Sequence, residues 1–266
     1  MRLISDSKMN SRILHSLKNS LILFIRMIFI MLITLYSSRL LLDVLSVENF
    51  GIYDVVAGIV VLFVVLNSAL TSTVQRFLNI SIEEKCSEKL TKYFNISLFI
   101  FIILGFFLFI LGFFSKNYLI GHMLNIPVDK VDIAENLFIL SLLNIILQIL
   151  RVPFTAILFA YERLGFHSFL SVMEALGKLV VVILIPFLNY DYLINYSILL
   201  LILTFIFGVF YVIYLNKINI LPKIYFVRTI SEYKNILNFS KYSLIGGGVS
   251  MLSQQSTSIL LNKFFG

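Results

Sequence analysis

The chain contains no tryptophan, one cysteine and four prolines in 266 residues. A lone Cys86 excludes an internal disulfide and any multi-cysteine metal site. With no tryptophan, an aromatic belt at a membrane surface would fall to the 13 tyrosines. Charged residues make up 13% of the chain, against roughly 25% in soluble domains, which argues against a soluble globular protein. The sequence also lacks a His-Glu-x-x-His pair, a Gly-x-Ser-x-Gly turn and a glycine-rich phosphate loop. His15, His122 and His167 fall in expected loops or at helix ends, without ligand spacing. The expectation is a non-enzyme with no cofactor and no metal. There are no Gly/Ser/Pro-rich linkers and no low-complexity tracts.

What the chain does have is apolar length. Hydrophobic residues reach 59%, with 26 phenylalanines and a mean hydropathy of +0.98. A hydrocarbon core about 30 Å thick takes roughly 20 helical residues to cross. Six stretches are that long, at about 20–42, 52–75, 94–114, 135–160, 169–188 and 193–215, and a seventh runs over about 243–263. Backbone groups in lipid must be satisfied within their own segment, and strand alternation is absent, so these spans are helices. The expected fold class is an all-α polytopic membrane protein: one bundle of six transmembrane helices plus most of a seventh. The first apolar run is too long for a signal-peptide core and reads as a retained helix.

The net charge of +7 sits in loops between spans rather than in a groove, which excludes a nucleic-acid partner. With the N-terminus inside, Arg2, Lys8, Arg12, Lys18, Arg76, Lys85, Lys89, Lys92, Arg163, Lys217, Lys223, Arg228, Lys234 and Lys241 all become cytoplasmic. The outer loops then hold Lys116 and Lys130, with Arg39 at the boundary. The positive-inside rule therefore predicts a multi-pass protein with a cytoplasmic N-terminus.

Polar residues recur at helical spacing inside the spans. Between Ser37 and Phe77 two apolar helices are expected to meet across an acidic loop, and the second carries Asn67, Ser68, Thr71, Ser72 and Gln75 before Arg76. Helix 1 adds Arg26, Thr34 and Ser37; helix 4 adds Ser141, Asn144, Gln148 and Arg151; helix 5 adds Ser171, Glu174 and Lys178. Hydrocarbon does not select such lanes, so buried charges are expected to face a cavity or a partner. Arg26 lies about 9 Å from the inner end of its helix, and Arg151 and Lys178 about 14 Å. This reads as a cationic, hydrated cavity open to the cytoplasm and suited to a phosphate-bearing or acidic head group. The competing reading has Glu174 and Lys178 neutralising each other at i,i+4 while Arg26 snorkels to head groups. Asp54 and Glu174 are the candidates for ion coupling. Arg39 reads as an interface anchor or a partner for Asp43, and Asp132 with Glu135 as a capping pair for helix 4. Helix 3, nearly free of polar residues, is expected to face lipid. Pro153 and Pro186 should kink or end their helices.

Lys18-Asn-Ser-Leu-Ile22 at the start of helix 1 is echoed by Lys241-Tyr-Ser-Leu-Ile245, and Leu41-Leu-Asp43 before Phe50-Gly51 by Leu260-Leu-Asn262 before Phe265-Gly266. The expectation is a second half beginning at helix 7, as in transporters built from repeats. The domain scheme is then a basic leader (1–19), a six-helix bundle (20–215), a basic cytoplasmic linker (216–242) and the first helix of a truncated second bundle (243–266).

The run Leu40-Leu-Leu-Asp43, Glu48-Asn-Phe-Gly-Ile-Tyr53 and Gln75-Arg-Phe77 resembles the first helix pair of Wzx-type polysaccharide flippases, in the superfamily that also holds MATE drug exporters and lipid II flippases. Leu124-Asn-Ile-Pro127, Arg151-Val-Pro-Phe154, Ala160-Tyr-Glu-Arg163 and Gln254-Gln255 continue the resemblance. It implies two six-helix bundles facing across a central cavity, moving undecaprenyl-diphosphate-linked oligosaccharide across a bacterial inner membrane by alternating access. Its partners would be the lipid-linked oligosaccharide, membrane lipids, the missing C-terminal half and polysaccharide assembly proteins. The cationic positions Arg26, Arg76, Arg151 and Lys178 suit the diphosphate. A drug/cation antiporter of the same superfamily, an inactive remnant, and a membrane glycosyl polymerase or acyltransferase remain alternatives.

Overall fold

The computed structural model describes residues 2–62, 65–124, 126–188 and 191–238; within 2–19 and 59–69, and at 122, 123 and 128, the description is of backbone alone. The expected seventh helix, the end of the linker and the echoed Gly266 motif lie outside the described residues. Among the described residues the secondary structure is helical, with no strand. Six long helices follow in order: α1 (Arg2–Leu62), α2 (Val65–Glu83), α3 (Ser87–Tyr118), α4 (Val131–Ala160), α5 (Leu164–Leu184) and α6 (Tyr192–Lys217). The described residues include five stretches long and apolar enough to cross a membrane, so the expected all-α polytopic membrane fold is what the chain forms. The span expected at about 52–75 is instead shared between the end of α1 and the start of α2.

A straight helix of 61 residues would be about 90 Å long, three times the hydrocarbon thickness. The chain avoids this at Ser46, whose φ of 71° and ψ of 160° break the helix in a region costly for any residue but glycine. The first limb packs Leu41 and Leu45 against Val181, Val182 and Ile185 at the end of α5. Immediately after the break, Glu48 and Asn49 meet Lys130 before α4 at 2.8 and 2.9 Å. Farther on, Ala57 faces Ser141 and Asn144 of α4. The two limbs therefore run antiparallel, and the acidic loop expected over 43–51 is a corner one residue wide.

The other helices extend past the apolar windows that predict them. α3 begins at Ser87 rather than about 94, and α4 at Val131 rather than about 135. Backbone hydrogen bonding continues through polar turns where hydropathy has already fallen. Pro153 is accommodated inside α4, whereas Pro186 sits in the 3-10 turn Ile185–Phe187 that ends α5. Asp191 caps α6, its carboxylate accepting from the Leu193 and Ile194 amides. Asp132 and Glu135 do not cap α4: its N-terminus shows no side-chain cap, and Glu135 is drawn to Lys116 at 2.6 Å.

The core is formed chiefly by Phe94, Phe101 and Leu108 of α3 with Leu137, Phe138, Leu142 and Ile149 of α4, joined by α2 and α6. Helix 3 thus departs from the lipid-facing expectation. One face is buried and the other exposes Ile103, Phe106, Phe107 and Phe114. An apolar surface suits a protein core and lipid equally, so a lack of polar residues does not tell them apart. Close helix approaches depend on two glycines. A Cβ at Gly112 would lie 2.5 Å from Leu142, and one at Gly177 2.7 Å from Leu203.

After α6, residues 218–238 return across the start of α3. The Asn95 side chain, fully buried, donates to the carbonyls of Thr91 and Lys223 and accepts from the Tyr225 amide. Lys92 pairs with Glu232 at 2.6 Å.

Candidate functional site

A half-open chamber of about 290 Å³, walled by polar and apolar side chains, lies between the second limb of α1, α4, α5 and α6. α4 supplies Ser141, Asn144 and Gln148 at steps of three and four, which places them on one face. Gln148 donates to the Asn144 side-chain oxygen at 2.6 Å, and Thr204 of α6 reaches the same oxygen at 3.4 Å. Tyr53 and Tyr196 meet edge to face across the chamber at 5.1 Å, with Ser197 beside them. Lys178 enters from α5 with 48% of its side chain exposed. Among the described residues lining this chamber, none is a carboxylate.

A smaller recess of about 90 Å³ lies on the other side of Lys178 and Tyr196, lined by Thr34, Ser37 and Ser38 of α1 and Ala175 of α5. Lys178 and Tyr196 form the wall between the two spaces.

Charge concentrates toward the other end of α5. Arg151 donates to Glu174 at 2.8 Å, and both side chains are more than four-fifths buried. Lys178, the expected i,i+4 partner of Glu174, is at 4.0 Å, so the cross-helix arginine takes the carboxylate. The Arg151 guanidinium also lies 5.3 Å from the centre of the Tyr211 ring. The Tyr211 hydroxyl is 2.9 Å from His167 Nδ1, and His167 packs on Phe159. Arg26 completes the group from α1. It lies on the helix face shared by Ile22, Ile30, Ile33 and Ser37, and its charge acts on both His167 and Tyr211. Its Nε is buried with no hydrogen-bond partner, as are Ser37 Oγ and Ser168 Oγ.

The residues singled out in the sequence therefore divide. Asn144, Gln148 and Lys178 share the chamber; Arg26, Arg151 and Glu174 form the charged group beneath it. Arg151 does not line the chamber but borders an apolar groove between α4 and α6. Arg76 is exposed on α2, and Thr71 and Gln75 are half-buried there. The side chains of Asn67 and Ser68 lie outside the described residues. Asp54 is exposed and does not line the chamber. Tyr53, Tyr196, Ser197 and Tyr211 were not singled out as site residues, because tyrosines scattered through Phe-rich helices read as core or interface, and His167 was set aside for want of ligand spacing. Tyr196 and Ser197, adjacent in the chain, were the available polar signal.

No family model and no curated protein matches the sequence. Solved structures match the fold. A MATE transporter in complex with MaD3S superposes with a TM-score of 0.76 at 16% identity, covering 94% of this chain and 56% of its own. An outward-facing multidrug resistance MATE transporter of the MOP superfamily gives 0.74 at 15% identity, covering 94% and 55%. A Pyrococcus furiosus MOP superfamily transporter, described as having a binding pocket of reverse polarity, gives 0.71 at 16% identity, covering 92% and 55%. The chain thus has the fold of MATE/MOP superfamily transporters and spans about half their length.

Proposed function

We propose, from this transporter fold, that the chain is one half of a membrane exporter that carries an anionic, hydroxyl-rich lipid-linked substrate, a polyprenyl-diphosphate oligosaccharide, between leaflets. The observation that carries the reading is the composition of the chamber wall. Beside Ala57, Leu140, Ile145 and Leu200, two serines, an Asn–Gln pair, two tyrosines and a lysine face the space, without a carboxylate among the described lining residues. Amides and hydroxyls both donate and accept, which matches sugar hydroxyls, and a lysine supplies a point charge for a phosphate oxygen. Beneath it, Arg26 and Arg151 outnumber Glu174, leaving an excess of positive charge. With the N-terminus inside, as the positive-inside rule predicts, that charge would lie in the cytoplasmic half of the membrane, where such a substrate would be loaded. Uncommitted donors, Arg26 Nε foremost, would be satisfied by diphosphate oxygens.

The rival within the same fold is a drug or cation antiporter, favoured by the multidrug MATE structures the chain resembles. Such a protein is expected to rely on a carboxylate free to exchange its cation in the cavity, whereas Glu174 is held by Arg151 and the exposed Asp54 does not line the chamber. The test is equilibrium binding to the purified chain in nanodiscs, with a short polyprenyl diphosphate against a lipophilic cation such as tetraphenylphosphonium. The diphosphate should bind, and Lys178→Ala should weaken it about tenfold, the loss of one charge-assisted contact. Preference for the cation, with no effect of Lys178→Ala, would overturn the reading in favour of the antiporter.

A further inference from the structure

We propose that residues 218–238 form an interfacial surface that binds anionic phospholipid head groups of the adjacent leaflet. Three independent features of the segment converge. The first is charge: Lys223, Arg228 and Lys234 are exposed, Lys217 precedes them at the end of α6, and the single acid, Glu232, is already paired with Lys92. The second is exposed apolar surface between those cations: Ile224 is 62% exposed, Phe226 64% and Ile230 70%. A water-facing connector gains nothing from such side chains. At a bilayer interface, apolar residues enter the acyl boundary while flanking Lys and Arg meet anionic head groups.

The third feature is position. The segment does not hang free. The Asn95 amide grips the backbone at Lys223 and Tyr225, on both sides of Ile224, at 2.9 Å each. The Phe226 ring packs edge-on against Phe99 of α3 with centroids 5.0 Å apart, Val227 is buried, and Tyr233 donates to the Val227 carbonyl. Phe99 belongs to the membrane-crossing stretch of α3. The clip therefore fixes the cations and apolar side chains beside the end of a spanning helix, where head groups meet hydrocarbon. Both the charge and the depth select an anionic leaflet.

The absence of tryptophan makes the proposal directly readable. Phe226→Trp, or Ile224→Trp at the exposed neighbouring position, gives the full chain a single indole. Each variant is placed in nanodiscs of one fixed phosphatidylglycerol and phosphatidylcholine mixture, with bromine carried either on the glycerol lipid or on the choline lipid. The expected result is blue-shifted emission, quenched about twofold more when the anionic lipid carries the bromine. Lys223→Gln with Arg228→Gln, or high salt, should abolish that difference. Equal quenching by both lipids would overturn head-group recognition. Water-like, unquenched emission would overturn docking altogether, and blue-shifted but unquenched emission would replace the lipid with a protein occupant. Agreement between the two indole positions excludes a local distortion at either one.

Discussion

Arg151 and Arg26 occupy the same region of the bundle under opposite terms. Arg151 has a carboxylate at 2.8 Å and an aromatic face at 5.3 Å, so the cost of taking its charge out of water is largely offset. Arg26, one helix away, acts on the same histidine and tyrosine but leaves its Nε buried and unbonded. The difference is between a guanidinium engaged by a carboxylate across two helices and one whose buried Nε has no hydrogen-bond partner. A satisfied pair is weak evidence for ligand binding, because its partners already explain it. A buried donor without a partner is a point at which an added acceptor would gain a hydrogen bond.

The largest effect should come from breaking the satisfied side. Glu174→Gln leaves Arg151 without its countercharge and should cost about 3 kcal/mol, read as a shift in unfolding midpoint in mixed micelles. Removing both charges as Arg151→Leu with Glu174→Leu should restore most of that stability; failure to recover would mean the pair does more than neutralise itself. Tyr211→Phe probes the same cluster more gently. It deletes the hydroxyl contact to His167 but keeps the ring under Arg151, and about 1 kcal/mol of stability should be lost. Arg26→Met should have the smallest effect on stability, under about 1 kcal/mol in either direction, while weakening polyprenyl diphosphate binding. An Arg26→Met variant as unstable as Glu174→Gln would erase the distinction between the two arginines.

Much of this was legible in the sequence, for reasons that also mark where legibility stops. α4, α5 and α6 were found because hydropathy over 20 residues is a local sum. Asn144 and Gln148 were placed in one lane because i,i+4 spacing is fixed by the helix itself, and the structure adds the hydrogen bond between them. The partner of Glu174 was not. Local spacing pointed to Lys178, and the choice of Arg151 depends on how α4 lies beside α5, which no single-helix pattern encodes. Asn95 was passed over for a similar reason. Two of its three hydrogen bonds reach across more than 120 residues of chain, and alone in an apolar helix it gives no lane. A break between Asp43 and Gly51 was expected from the acidic run, but nothing singled out Ser46, since neither glycine nor proline marks the corner itself. The N-terminal orientation and the roles of the chamber residues rest on charge distribution and wall chemistry together.

The one-residue corner also couples two parts of the bundle. Ser46 is the one non-helical residue between the limbs of α1, so no loop is there to absorb a movement of either limb. Leu41 and Leu45 on one side of the joint pack on the end of α5, while Glu48 and Asn49 on the other hold Lys130 at the start of α4. A shift at either contact is therefore passed through a single stiff joint to the other.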